Sequence, residues 1–128
     1  MGIMQRSYVL IGCLLLTAAG ALSAYGFHGL GESISAAKRT SWQWAVDMQF
    51  YHALGLVFVG LLGARIGDSW PLRLAAAAML GGILIFSGLI YAEVLGAPES
   101  VGELVPTGGT LFMLSWLLVA TAVWRARP

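Results

Sequence analysis

Six polar side chains stand out in an otherwise oily chain: His28, Gln49, His52, Ser87, Tyr91 and Thr107. An imidazole can titrate near neutral pH, ligate a metal or simply hydrogen-bond. Gln49 and His52 are three residues apart and share a helix face, as Ser87 and Tyr91 do at a spacing of four. Polar and ionisable groups inside a bilayer are costly unless they face the bundle or water, which makes these six the candidate ligand-binding residues. Four chemistries are open to them. They can bond to one another and fix helix register, hold a lipid headgroup or small polar ligand, ligate a metal or haem, or catalyse. Two histidines without an HxxxH or HxxE spacing give little support to a metal site. No Ser-His-Asp order, paired-carboxylate motif or phosphate loop supports catalysis. No residue is therefore assigned a catalytic or metal-binding role, and the sequence identifies no cofactor. Cys13 stands alone, so it has no disulfide partner within the chain. Asp47 and Glu93 fall near the expected interface, where charge is tolerated. Met48, Met79 and Met113 read as core filler rather than copper ligands.

The elements that must position these groups follow from composition. Of 128 residues, 59% are hydrophobic and only 10% charged, with a mean hydropathy of +0.82. Soluble domains carry about 25% charged residues. A domain this small could not hide so much apolar surface from water. Lipid must solvate the outside. The net charge of +1 and the lack of any basic run exclude a phosphate-tracking, nucleic-acid-binding surface. A bilayer core needs about 20 apolar residues per helix. Four long apolar runs meet that need, and their continuity predicts helices rather than barrel strands. The spacing predicts helices over about 7–26, 42–66, 71–95 and 107–125 in a single domain, residues 1–128. Short connections between the last three favour an all-α, up-down-up-down four-helix bundle.

The flanks supply finer expectations. Trp42, Trp44, Trp70 and Trp124 read as interfacial anchors. Thr40 with Gln43 has capping-box spacing, and Thr107 reads as the N-cap of the last helix. The stretch from Gly26 to Ser41 can form a short helix lying on the membrane surface, or an ordinary polar loop. Glycines mark close helix packing, with Gly20, Gly26, Gly88, Gly108 and Gly109 foremost. Ala19-Gly20-Ala21 and Leu10-Ile11-Gly12-Cys13 resemble processing signals. However, too little apolar sequence precedes Cys13, and the first run reads as a retained helix. Arg6, Arg65, Arg73, Arg125 and Arg127 gather on one side against Lys38 and Arg39 on the other, which predicts both termini in the cytoplasm. The six polar residues then converge in the outer half of the bundle.

The same residues carry a family resemblance. Gly20-Ala21-Leu22-Ser23-Ala24-Tyr25-Gly26-Phe27-His28-Gly29-Leu30 resembles a Gly-Ala-Phe-Gly-Ala-His-Gly-Leu type segment. Met48-Gln49-Phe50-Tyr51-His52-Ala53-Leu54 resembles Tyr-Gln-x-x-His-x-Leu, and Phe86-Ser87-Gly88-Leu89-Ile90-Tyr91 resembles Phe-Ser-Gly-Ser-Leu-Tyr. Pro106-Thr107-Gly108-Gly109, with Trp116 downstream, resembles Thr-Pro-x-Gly-Gly followed by Gly-Trp, although here threonine follows the proline. The order and coverage are similar to the YgdD-like small inner-membrane proteins, a domain-of-unknown-function family numbered 423. That resemblance implies a four-helix protein of the bacterial inner membrane and no known activity. It also implies weight at Phe86 and Trp116 besides the residues above.

The expected function is accordingly non-enzymatic. The chain reads as a membrane binding or accessory module whose cluster holds a lipid headgroup or small polar ligand, or braces the bundle. Its expected partners are membrane lipids, with a membrane-protein partner or a second copy of itself as further candidates. An oligomeric transporter or channel component is the alternative, although no inverted repeat is visible. A metal- or haem-binding membrane enzyme is a further one.

Overall fold

The computed structural model describes residues 1–126; Arg127, counted above among the cytoplasmic arginines, lies outside the described residues. The described residues are helical throughout, with no strand among them, and form four rods long and apolar enough to cross a membrane. The first rod is α1 (Ile3–Ala24), continued by a π-helical turn at Tyr25–Leu30 and a 3-10 turn at Gly31–Ser33. The second is α2 (Ala36–Ile66), whose 31 residues span roughly 46 Å at about 1.5 Å each. The third is α3 (Trp70–Gly82), joined through a π-helical turn at Ile83–Ser87 to α4 (Gly88–Val94). The fourth is a 3-10 turn at Glu99–Leu104 leading into α5 (Val105–Arg125).

The connection between the first two rods corrects the sequence reading. No separate surface helix forms there. The chain breaks once, at Gly31, whose φ of +46° suits a residue without Cβ. It restarts at Ser35, whose Oγ accepts from the Lys38 amide at 3.2 Å as the N-cap of α2. Arg39 pins the break by donating to the carbonyls of Gly31 at 3.2 Å and Ile34 at 3.1 Å. Thr40 is thus inside the helix, bonded back to the Ala36 carbonyl, and caps nothing. Gln43 donates instead to Asp47 at 2.8 Å. Similarly, α5 starts early enough that Leu104 is its N-cap and Pro106 occupies its first turn, where a missing N–H costs nothing. Thr107 therefore lies within the helix.

The rods pack unequally. Half of the apolar window of α2 is buried (50%), against 11% for the first rod. Thus α2 and the α3–α4 rod form the centre, with α1 chiefly on α2 and α5 chiefly on α3. One core cluster at the α1–α2 connection end includes Trp42, Val46, Phe86, Ile90 and Phe112. The other, toward the termini, includes Leu56, Val59, Leu72, Met79 and Val119. Trp42 is only 2% exposed, so it is a core residue rather than the interfacial anchor its position suggested. Met79 is fully buried, whereas Met113 faces outward at 66% exposure.

Glycines set the crossing points where helix backbones meet. A Cβ on Gly108 would sit 2.5 Å from the Phe86 amide nitrogen and 2.9 Å from its Cα. A Cβ on Gly12 would meet the Ala53 carbonyl at 2.9 Å, and one on Gly60 the Gln5 carbonyl at 2.7 Å. Gly26 lies beneath the Trp42 ring, while Gly109 and Gly88 have only ordinary contacts. Gly20, expected on a packing face, has nothing within 4 Å. At the terminal end of the bundle Arg73 donates to Asp68, and this guanidinium holds the Asp68 carboxyl below the usual carboxylate range.

Candidate functional site

The polar residues assemble along one face of α2. Trp42, Ala45, Gln49 and His52 are spaced three, four and three residues apart, which places them on a single stripe. Each rung ties α2 to another rod. The Trp42 indole donates to the Leu22 carbonyl of α1 at 2.8 Å. Ser87 Oγ, in the π-helical turn, donates to the Ala45 carbonyl at 2.7 Å. Gln49 Nε2 donates to the Leu15 carbonyl of α1 at 2.9 Å, while its Oε1 accepts from the Tyr91 hydroxyl at 2.8 Å. Trp116 Nε1 of α5 donates to His52 Nε2 at 3.1 Å.

The last contact fixes the imidazole. An indole N–H can only donate and a carbonyl can only accept. Nδ1 of His52 lies 2.7 Å from the Met48 carbonyl, so it carries the proton and Nε2 is the acceptor. The ring is neutral, both nitrogens are engaged, and it stacks on Phe112 at 3.6 Å with an interplanar angle of 12°. Such a histidine has no nitrogen left for a metal. Gln49, His52 and Ser87 are buried, at 3%, 5% and 0% exposure. Satisfied amide and hydroxyl groups at this depth are much less costly than orphaned ones. The aromatic packing continues upward, with the Tyr91 ring 4.7 Å from Trp42 and the Tyr25 ring 5.8 Å from it.

Gln49, His52, Ser87 and Tyr91 thus come together, but two other candidates do not join them. His28 is exposed on the π-helical turn after α1, and Thr107 is exposed in the first turns of α5. His28 continues the i+4 row of Gly20 and Ala24, which is exposed, and lies opposite the buried stripe of Gln5, Gly12 and Ala19. Two further members, the Trp42 and Trp116 indoles, were not assigned to the cluster from the sequence: Trp42 read as an interfacial anchor, and Trp116 carried weight only through the resemblance. Their donors were legible as a class, since a tryptophan N–H inside lipid needs an acceptor. Their partners, 20 and 64 residues away, were not.

Beside the cluster lies a groove of about 530 Å³ between α2, Phe86 and α5, open toward the surroundings. Trp44, Phe86, Phe112, Met113 and Trp116 wall it, and the His52 ring lies among them. Trp44 meets Phe86 edge-on at 5.0 Å, which fixes one side. Gly109 contributes no side chain to the lining, and this leaves the space open.

Comparison with known proteins places the chain. The family model described as protein of unknown function (DUF423) matches residues 22–109. A UPF0382 membrane protein of Staphylococcus epidermidis is 32% identical over 123 residues, covering 94% of this chain and 98% of the relative. The UPF0382 membrane protein YwdK of Bacillus subtilis is 30% identical over 118 residues, covering 92% and 96%. A UPF0382 membrane protein of Haemophilus influenzae is 32% identical over 125 residues, covering 97% and 98%. No solved structure matches the chain significantly.

Proposed function

We propose that this chain, which belongs to the DUF423 family of small multi-pass membrane proteins, is a non-enzymatic accessory module of the bacterial inner membrane. Its polar cluster braces helix register, and the aromatic groove shaped by that brace seats the hydrocarbon part of a membrane lipid. One observation carries this reading. Every polar side chain of the cluster finds a partner within the chain, so the cluster is satisfied as a brace without any polar ligand. The groove is apolar and of a volume typical of small-molecule sites, roughly 300–1,000 Å³. Orientation rests on charge. Arg6, Arg65, Arg73 and Arg125 at the terminal end outweigh Lys38 and Arg39 at the other, which supports cytoplasmic termini.

Native mass spectrometry of the protein gently extracted from its own membrane, paired with elemental analysis, tests the proposal. The expected spectrum carries a lipid-mass adduct that Gly109→Leu reduces by filling the groove. A stoichiometric metal or polar small molecule that disappears in His52→Ala would overturn the reading and make the cluster a binding site.

A further inference from the structure

One charged side chain within the span takes no part in the brace or the groove. Helix α2 starts at Ala36, and Arg39 is pinned to the break that precedes it, so Arg39 marks the membrane surface at the α1–α2 connection. Asp47 follows Arg39 by eight residues, roughly 12 Å at about 1.5 Å each. Arg65, exposed at the far end of α2, follows Arg39 by 26 residues, roughly 39 Å. A hydrocarbon core of about 30 Å centred between the two arginines holds Asp47 roughly 7 Å inside its boundary. Asp47 is thus deeper than the interfacial place expected from the sequence. Its facing is also unusual. Thr40, Tyr51, Leu54 and Phe58 are exposed, and Asp47, partly exposed, shares their row. That row is the side of α2 turned away from Trp42, Ala45, Gln49 and His52. The carboxylate accepts from Gln43 Nε2 at 2.8 Å and has no counter-ion, since the one ion pair among the described residues joins Arg73 to Asp68.

An ionisable group at this depth is costly unless it is paired. The Gln43 amide donates a hydrogen bond but no counter-charge. The chain's own cations do not reach Asp47. Lys38 and Arg39 lie more than two helical turns nearer the surface, and the Arg39 guanidinium turns back to the Gly31 and Ile34 carbonyls. His28 is nearer the surface still, because the α1 residue level with Trp42 is Leu22. Arg6, Arg65, Arg73 and Arg125 gather at the terminal end. A second copy inserted in the same orientation carries these groups at the same depths, so it brings no cation to Asp47. We propose that this face of α2 docks a transmembrane helix of a different membrane protein, one that presents a lysine or arginine at the depth of Asp47. The charge pair sets the depth and choice of partner, while Tyr51, Leu54 and Phe58 supply packing on the same row. Asp47, Tyr51, Leu54 and Phe58 do not line the aromatic groove, and this surface does not depend on a lipid there.

The test uses the full-length protein, labelled at its carboxyl terminus, in phosphatidylethanolamine–phosphatidylglycerol vesicles. The probe is a leucine–alanine transmembrane peptide of about 20 residues with one lysine about five residues from one end. An acceptor dye sits at its other end, so the docked complex brings both dyes to the same membrane face. The proposal expects saturable energy transfer, weakened about tenfold by Asp47→Asn and by leucine in place of the peptide's lysine. Asp47→Lys should restore transfer to a peptide carrying glutamate at the lysine's position. Glu93→Gln, at an acid on another rod, should leave transfer unchanged. Gly109→Leu should also leave it unchanged while reducing the lipid adduct of the groove, which separates the two surfaces. No saturable transfer to the lysine peptide, equal transfer to the leucine peptide, or equal transfer by wild type and Asp47→Asn would overturn the proposal. Transfer between two differently labelled copies of the chain that Asp47→Asn abolishes would make a second copy the occupant and would overturn it too.

Discussion

Replacing Gly108 by alanine tests the helix crossing that holds the cluster together. The added Cβ would lie 2.5 Å from the Phe86 amide nitrogen, 2.8 Å from its Cβ and 2.9 Å from its Cα. Ordinary contacts between such atoms begin near about 3.5 Å, so α5 must retreat by roughly 1 Å. The neighbours are mainly backbone and cannot rotate away. Overpacking of this kind costs about 1–3 kcal/mol. The retreat also pulls Phe112 from His52 and strains the Trp116–His52 bond, since both partners ride on α5. Gly20→Ala is the matched control. A Cβ there meets nothing within 4 Å, and alanine in a helix interior is favoured over glycine by about 0.5–1 kcal/mol. Reversible unfolding in mixed micelles, followed by helical circular dichroism, should therefore show Gly108→Ala destabilised and Gly20→Ala equal to or slightly above wild type. Equal stability of wild type and Gly108→Ala would refute the close crossing, and a large loss in Gly20→Ala would refute the open face of α1.

Other perturbations follow from the same contacts. Ser87→Ala removes the bond to the Ala45 carbonyl while keeping the fold's shape, and should cost about 0.5–1.5 kcal/mol in the same unfolding assay. Trp42→Phe should lose the tie to α1 and raise amide hydrogen exchange around the α1–α2 connection rather than in α5. Asp68 titrates below the ordinary range because Arg73 binds its charged form. Its contribution is therefore present above the unfolded-state value and lost as pH falls through the folded one, a small change at this solvent-facing pair. Asp68→Asn should flatten that acid limb of a stability–pH profile without altering stability near neutrality by more than about 1 kcal/mol.

The four rods were legible because a spanning helix must be a long apolar run and nothing else satisfies its backbone in lipid. The i,i+3 and i,i+4 spacings also place Gln49 with His52 and Ser87 with Tyr91. What stayed hidden was facing. Tyr25–Leu30 and Ile83–Ser87 adopt π-helical turns that no residue type announces, and each rotates the side chains that follow. His28 shares the exposed row of Gly20 and Ala24 rather than the buried stripe of Gln5, Gly12 and Ala19, and its residue type could not tell which row faced α2. Tryptophans near helix ends read as interfacial by type, but Trp42 and Trp44 are two residues apart and point to opposite sides. One is core and the other borders the groove. The match between Trp116 and His52 joins helices that meet through side chains with few close backbone approaches, so no local pattern could reveal it.

The measurement closest to the central claim, that the cluster is an internal brace, is a double-mutant cycle between Gln49→Leu and Tyr91→Phe in mixed-micelle unfolding. The account predicts a favourable coupling between the two side chains of about 0.6 kcal/mol, the average for hydrogen bonds within a membrane bundle, and at most about 1.7 kcal/mol. Strictly additive single and double variants, with no coupling between these residues, would contradict it.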